Sequence, residues 1–267
     1  MRTFGVGPLA LGRIRTGGTR GGSQFCGAHL DLDTRFICGR IQNMMGNVLL
    51  TGFEPYGGRG INPADETMKS LDGRLIEGYR VIGRGLPVSL AEVRAKLPQL
   101  IEEIKPAAVI SLGLWPGEAV IRLERVGLNV VDYEIRDNDG ALIHDASVSS
   151  NSQEARFATL PLRAIEQALL ADGTPVRISS TAGTFLCNAC LFTVLDIIMA
   201  RGQRVPAGFI HLPYIPEQVA GLVAATRAEA ALELHQRFDV ASMELSRIVR
   251  AVELAITITI RDIRPAA

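Results

Sequence analysis

The sequence predicts an α/β fold: a single domain with a mostly parallel sheet covered by helices on both faces. Three observations predict it. From Gly46 onward, short apolar runs alternate with longer amphipathic ones, the pattern of strands joined by crossover helices. The strand candidates are close to continuously apolar, as strands buried on both faces are. The chain has 267 residues, 47% of them hydrophobic, enough for a sizeable core. That length suits one large α/β domain or two small ones, and no internal repeat or interdomain linker follows residue 44, so one domain is the simplest reading.

The first element is "NVLLTGF", Asn47–Phe53, a buried strand running into a glycine loop. "YRVIGRGLP" is the second strand, stopped by Pro87, which has no N–H to donate to a sheet. Leu90, Val93, Leu97, Ile101 and Ile104 then recur at helical spacing, the apolar stripe of an amphipathic helix, and Pro98 inside it predicts a kink. "AAVISLGL", Ala107–Leu114, is another buried strand, and "AVIRLERVGLNVV" reads as extended. "DNDGALIHD" carries the Asp-Gly and Asn-Asp signals of a turn or hairpin,. "LPLRAIEQALLADG" is a helix closed near Gly173, and "PVRISST" a strand,. "NACLFTVLDIIMARG" is a mostly apolar helix ending at Gly202, followed by the strand "AGFIHLP", stopped by Pro213. Leu245, Ile248, Val249, Val252 and Ile256 form the stripe of a last helix, with Asp239 or Ser242 as its cap,.

Residues 1–43 differ from the rest. "GRIRTGGTRGGSQFCG" is rich in Gly and Arg and lacks apolar periodicity. It has neither the amphipathic pattern of a transit peptide nor the apolar run of a secretory signal. Two readings fit: a disordered tail, or an upstream start codon with the true start at Met44-Met45. Either way residues 44–267 hold the α/β domain.

Bulk properties exclude several classes. Lys+Arg and Asp+Glu balance at 28 each, so charge points to neither nucleic acid nor membrane as partner. No run reaches the ~18 continuous apolar residues of a membrane span. Four cysteines in a chain this long do not make a disulfide framework. With no secretory signal, the protein reads as cytoplasmic, with reduced thiols.

In open α/β sheets, ligands gather at the carboxyl ends of strands, and several notable segments are expected there. "TGFEPYGGRGINP" has a Gly57-Gly58 pair, but no G-x-G-x-x-G or Walker pattern, so a tight surface turn is as good a reading as a phosphate loop. Phe53 and Tyr56 could instead wall a small pocket. Cys187 falls between the strand "VRISST" and a helix starting near Asn188. The helix dipole and free N–H groups there favour a thiolate, lower the thiol pKa and can hold an oxyanion. His211 lies near the end of an apolar strand. A lone histidine in such a place is ordinarily a core residue with a satisfied ring, but a cysteine at a neighbouring strand end strengthens its claim as a base. His29 falls in the tail, His144 after a turn and His235 on a polar helix face. Glu124, in "IRLERVGLN", is costly to bury unpaired. It either pairs with Arg122 or Arg125 or orients the His211 imidazole as the third member of a triad.

Cys187 and Cys190 are spaced C-x-x-C. A structural zinc site needs four ligands, and the other cysteines, Cys26 and Cys38, lie in the tail. The intervening Asn188-Ala189 lacks the proline of a thioredoxin-type pair. One turn below Cys187, Cys190 is expected to pack in the core.

"LLTGFEPYGG…NP", "ERVGLN", "SSTAGTFLCN" and "GFIHLPYIPEQ" together resemble pyroglutamyl peptidase I, also called pyrrolidone-carboxylate peptidase, a family of cysteine peptidases. The resemblance runs in order from Gly46 to Ala220 and loosely to the last helix. It implies a single three-layer α/β/α domain with a mostly parallel, mixed central sheet, assembled as a homodimer or homotetramer. It implies removal of N-terminal pyroglutamyl residues from peptides, with no metal and no cofactor. The family's catalytic triad carries over to Cys187, His211 and Glu124. Its ring pocket implies walls from Phe53, Tyr56 and Phe185, with Leu186 and Ile135 beside them and Asn62 supporting the loop. Two departures stand out. Gly113-Leu114 replaces a common Gly-Gln pair. Glu134 stands where many members carry an arginine, and Arg136, two places on, could compensate only along a regular strand. Two rivals follow: a related amidase with a shifted acyl preference, and a catalytically silent binding protein of the same fold.

Overall fold

A computed structural model describes residues 45–228 and 240–263. The expectations for residues 1–43, including Cys26, Cys38 and His29, and those for His235 and an Asp239 cap, lie outside the described residues. The elements, in chain order, are β1 (Gly46–Phe53), α1 (Pro63–Leu71), β2 (Leu75–Ile76), β3 (Tyr79–Leu86), α2 (Leu90–Ile104), β4 (Ala108–Leu114), β5 (Ile121–Glu124), β6 (Val126–Leu128), β7 (Ala155–Phe157), α3 (Leu162–Ala171), β8 (Val176–Ser179), α4 (Leu186–Ala200), β9 (Ala207–Leu212), α5 (Pro216–Ala228) and α6 (Leu245–Ile263).

Seven strands form one sheet in the order β2-β3-β1-β4-β9-β5-β8. β3, β1, β4 and β9 pair in parallel, while β5 runs antiparallel to β9 and parallel to β8. The sheet is therefore mostly parallel and mixed, as expected. Alternation along each strand divides the core in two. Val48, Leu50, Ile110, Leu112, Ile121, Leu123, Ile210 and Leu212 pack with α1, α3 and α6. Leu49, Phe53, Val109 and Phe209 pack with α2 and α4 on the other face. The result is three layers, helices on sheet on helices.

Local chemistry sets the boundaries. Asn62 accepts the Ala64 N–H with its side chain, and Pro63 opens α1, the N-cap and first-position proline of a helix start. α1 was not read from sequence, because its nine residues carry too short an apolar stripe. β2, β7 and α5 were also not read. α2 continues through Pro98 to Ile104, and α3 closes with Gly173 at φ 75°. The expected extended run after residue 119 breaks at Arg125. β6 leaves the main sheet and pairs with β7 in a separate ribbon. α4 begins at Leu186 rather than near Asn188. Ser242 does not cap α6. It bridges to Tyr214, and the first turn bonds to the Glu244 carbonyl instead.

Candidate active site

The face covered by α4 collects the polar strand residues. On β9 the alternation that turns Ile210 and Leu212 away brings Phe209 and His211 toward α4. On β5 the same rule places Arg122 and Glu124 on that side. The antiparallel register sets Arg122 opposite His211 and Glu124 opposite Phe209, so Glu124 reaches the imidazole diagonally. His211 Nδ1 lies 2.8 Å from Glu124 Oε1, both groups fully buried. A ring that donates from Nδ1 to this carboxylate leaves Nε2 as its acceptor.

Cys187 is the second residue of α4 and is half-buried. It shares a cleft of about 360 Å³ with His211, Tyr56, Trp115, Ile135 and Phe185. Gly113, opposite His211 in the β4–β9 pair, has a particular place here. A Cβ on it would stand 2.8 Å from Cys187 Sγ and 2.7 Å from Phe209 Cζ. The missing side chain is what lets the thiol approach the sheet. β5 and β8 run against β9, so the segment between β8 and α4 must double back to bring Cys187 beside β4. Asn188 fixes the end of that path. It is buried, accepts the Leu128 N–H and donates to the carbonyls of Leu128 and Val130.

The expected thiolate is corrected by burial. Desolvation, aided by Cys190 and the Glu124 carboxylate, pushes the Cys187 thiol well above its ordinary value, against one favourable backbone hydrogen bond. Here the cost of burying an anion outweighs the helix terminus. Burial likewise holds His211 below its ordinary 6.5, against the bond and charge of Glu124. Both shifts keep thiol and imidazole neutral. Cys190 is fully buried. Its thiol is pushed up to about 12 by burial, eased by hydrogen bonds to Ser111 and Thr51.

The remaining predicted residues divide between two spaces. Tyr56, Phe185 and Ile135 line the cleft. Phe53, Asn62 and Leu186 line an adjoining recess of about 20 Å³, which Tyr56, Phe185 and Cys187 also border. Tyr56 and Phe185 rings stand 6.2 Å apart, and Tyr133 meets Phe185 edge-on at 4.5 Å. Burial and then Cys187 push the Tyr56 phenol up to about 12. Asn62 also donates to the Glu54 carbonyl, tying the loop after β1 to α1. Glu134 lines the cleft. Arg136 does not replace the missing arginine: this segment is irregular, and its guanidinium donates to Gly140 O at 2.7 Å.

Sequence reasoning missed Gly113, Trp115 and Asn188 as parts of this site, and saw Arg122 only as a possible partner for Glu124. The available signals were an arginine two places before Glu124 in an apolar strand and an asparagine in the first turn of an apolar helix. Among the described residues, no cluster of three His, Cys, Asp or Glu side chains could hold a metal ion, and no helix is long and apolar enough to cross a membrane. What the arrangement offers is a thiol, an imidazole and a carboxylate beside an aromatic cleft, the groups of nucleophilic acyl transfer.

The comparisons agree with that chemistry. The sequence pattern of the pyroglutamyl peptidase family matches residues 46–262. Pyrrolidone-carboxylate peptidase of Thermococcus litoralis is 39% identical over 216 residues, 81% of this chain and 94% of that one. The Enterobacter enzyme of the same name is 37% identical over 218 residues, covering 82% and 94%. The solved pyrrolidone carboxyl peptidase of T. litoralis superposes with a TM-score of 0.75 at 38% identity, over 84% of this chain and all of that one. A Pyrococcus furiosus structure superposes with a TM-score of 0.74 at 36% identity, covering 82% and 100%.

Proposed function

The chain belongs to the pyroglutamyl peptidase family of cysteine hydrolases, and on that premise we propose that it removes N-terminal pyroglutamyl residues from peptides with Cys187, His211 and Glu124. The observation that carries the assignment of these three is the buried 2.8 Å contact between His211 and Glu124 at the wall of the cleft that Cys187 lines.

Because burial favours the neutral thiol and neutral imidazole, the proton moves during attack. His211 Nε2 takes it as Cys187 Sγ bonds to the acyl carbonyl carbon. First-turn N–H groups of α4 face the developing oxyanion. The C–N bond then breaks, and His211 returns the proton to the leaving amine. A water, deprotonated by His211, cleaves the thioester and restores the thiol. Glu124 accepts from Nδ1 throughout and stabilises the imidazolium. Phe53, Tyr56, Phe185, Leu186, Ile135 and the Asn62-braced loop are the proposed ring pocket, since a flat lactam suits aromatic walls. The recess, at about 20 Å³, has room for roughly one water molecule, so it must widen to take the ring.

A pyroglutamyl-aminocoumarin substrate tests this. Turnover by the reduced wild type and silence of Cys187→Ala are expected; a silent wild type would overturn it. Glu134 in the cleft favours one second reading, an amidase with a shifted acyl preference, which a panel of acyl amides separates from the first. Assembly as a homodimer or homotetramer belongs to the proposal through the family resemblance, a cytoplasmic location through the lack of a secretory signal pattern, and a fold that starts near Met44 through the Gly- and Arg-rich composition before the first strand. Light scattering and N-terminal sequencing of the native protein address the assembly and the start.

A further inference from the structure

Arg122 is 4% exposed, and a cation so placed is costly unless its donors are all used. Four of its five N–H donors are used, on several separate elements,. Nε donates to Glu124 Oε1 at 3.0 Å, Nη1 to Glu118 Oε1 at 3.1 Å, and Nη2 to Ser179 Oγ at 2.7 Å and the Thr181 carbonyl at 2.8 Å. The guanidinium lies 3.6 Å from the centre of the Trp115 ring, within cation–π range. The same indole meets the His211 ring edge-on at 5.0 Å and lines the cleft. Simple neutralisation of Glu124 would not require a fork held at so many points.

The carboxylate itself shows what the fork does. His211 and Arg122 both bond to Oε1, whereas Oε2 is buried with no hydrogen-bond partner among the described residues. No described side chain or backbone group holds the second oxygen, so among them the orientation of the carboxylate depends on the two donors at the first. Without Arg122, the imidazole alone would restrain the carboxylate meant to aim it. We infer that Arg122 is a positioning residue of the reaction: anchored to Ser179, Thr181 and Glu118 and covered by Trp115, it locks Glu124 so that His211 stays directed at Cys187.

The inference rests on the triad proposed above. Around His211 the charged and titratable groups are Glu124 and Arg122 on β5, Glu118 in the loop after β4, Cys187 on α4, and Tyr56, Asp132 and Glu134 along the shared cleft. Arg177 on β8 engages Glu118 at 2.7 Å. Within this set Arg122 holds the imidazole pKa down, and Glu124 and Glu118 raise it. Charge and geometry can therefore be tested separately.

The experiment follows kcat and KM against pH with pyroglutamyl-aminocoumarin for wild type, Arg122→Gln, Arg122→Lys and Ser179→Ala. Arg122→Gln should lower kcat by about 10–100-fold, the scale of a slightly misplaced catalytic group, with little change in KM. Its acid limb should move up by about 0.5–1 pH unit, since a cation near the imidazole is gone. Arg122→Lys keeps the charge and loses the fork: kcat should fall while the limb stays near wild type. Ser179→Ala, a small change that spares folding, should lower kcat about 3-fold. Wild-type kcat in Arg122→Lys and Ser179→Ala overturns the inference. So does an Arg122→Gln protein that is folded and keeps both its kcat and its acid limb. A wild type without turnover would instead overturn the triad reading on which the inference stands.

Discussion

At the scale of single residues, the two cysteines of "TFLCNACLF" have different surroundings despite their C-x-x-C spacing. Cys187 is half-buried at the cleft and Cys190 is sealed beneath it. Cys187→Ser should abolish turnover. Cys190→Ser should keep the rate within about 2-fold of wild type and lower stability by roughly 1 kcal/mol, because Thr51 and Ser111 offer the new hydroxyl partners. Paired kinetics and denaturation check both. Gly113 tests the approach of the thiol to the sheet. In Gly113→Ala the new methyl would meet Cys187 Sγ at 2.8 Å. Overpacking of this kind costs about 1–3 kcal/mol, and displacement of the thiol should lower kcat more than 10-fold, an effect of misplacing a reacting group. Equal activity in the alanine variant would show that Cys187 attacks from another position. Cys187 and His211 were legible from sequence because the first opens an apolar helix and the second lies at the end of an apolar strand. The state of the thiol was not legible: helix position argues for an anion, and only burial shows which effect wins.

At the scale of elements, α4 is the part that carries the proposed nucleophile, Cys187. Its apolar residues pack on α2 and the sheet, but its first turn is held by Asn188 against the strand segment from Leu128 to Val130. Asn188→Ala would strip one N–H and two carbonyls of their partner. Each such group costs about 1–3 kcal/mol when fully buried and unsatisfied; these three are only part-buried, so a total loss at the low end of that sum, roughly 3 kcal/mol, is expected, read as a lower Tm. The rate should fall as well, since Cys187 adjoins the freed residue. A variant with wild-type stability would mean that water replaces the amide. The helices with long stripes, α2 and α6, could be read from periodicity, and α4 from its long apolar run. α1 could not, because its start is specified by an Asn-Pro cap rather than by its apolar face. The break at Arg125 was equally hidden: "IRLERVGLNVV" looks like one strand, and nothing local says that β6 will leave the sheet.

At the scale of the molecule, the buried groups set a pH window for stability. His211 has a folded pKa below its ordinary 6.5, so the unfolded chain binds more protons between the two values. Its contribution is complete above 6.5 and is lost as pH falls from there through the folded value. The thiols of Cys187 and Cys190 are raised above 9.0, so their contribution is complete below 9.0 and is lost as pH rises beyond it. Thermal melts should thus show Tm falling on both sides of that interval. A Tm that climbs on acidification from neutrality to about pH 5 would contradict a buried neutral imidazole. The acid limb of kcat/KM should likewise fall below 6.5 if His211 is the base proposed above.

The sequence by itself determined the α/β class, the single sheet-based domain and the family, and it pointed to the thiol, imidazole and carboxylate of the proposed triad. Those follow from local periods, turn residues and ordered motifs, which a chain carries whether or not it is folded. The tertiary structure alone decided that β5 runs against β9 and that one carboxylate oxygen serves both His211 and Arg122. It also decided that burial works against a thiolate at Cys187 and that Arg136 turns away from the cleft. Those depend on which strands pair, in which direction and at what depth, and long-range pairing and desolvation leave no mark on the neighbouring residues of the sequence.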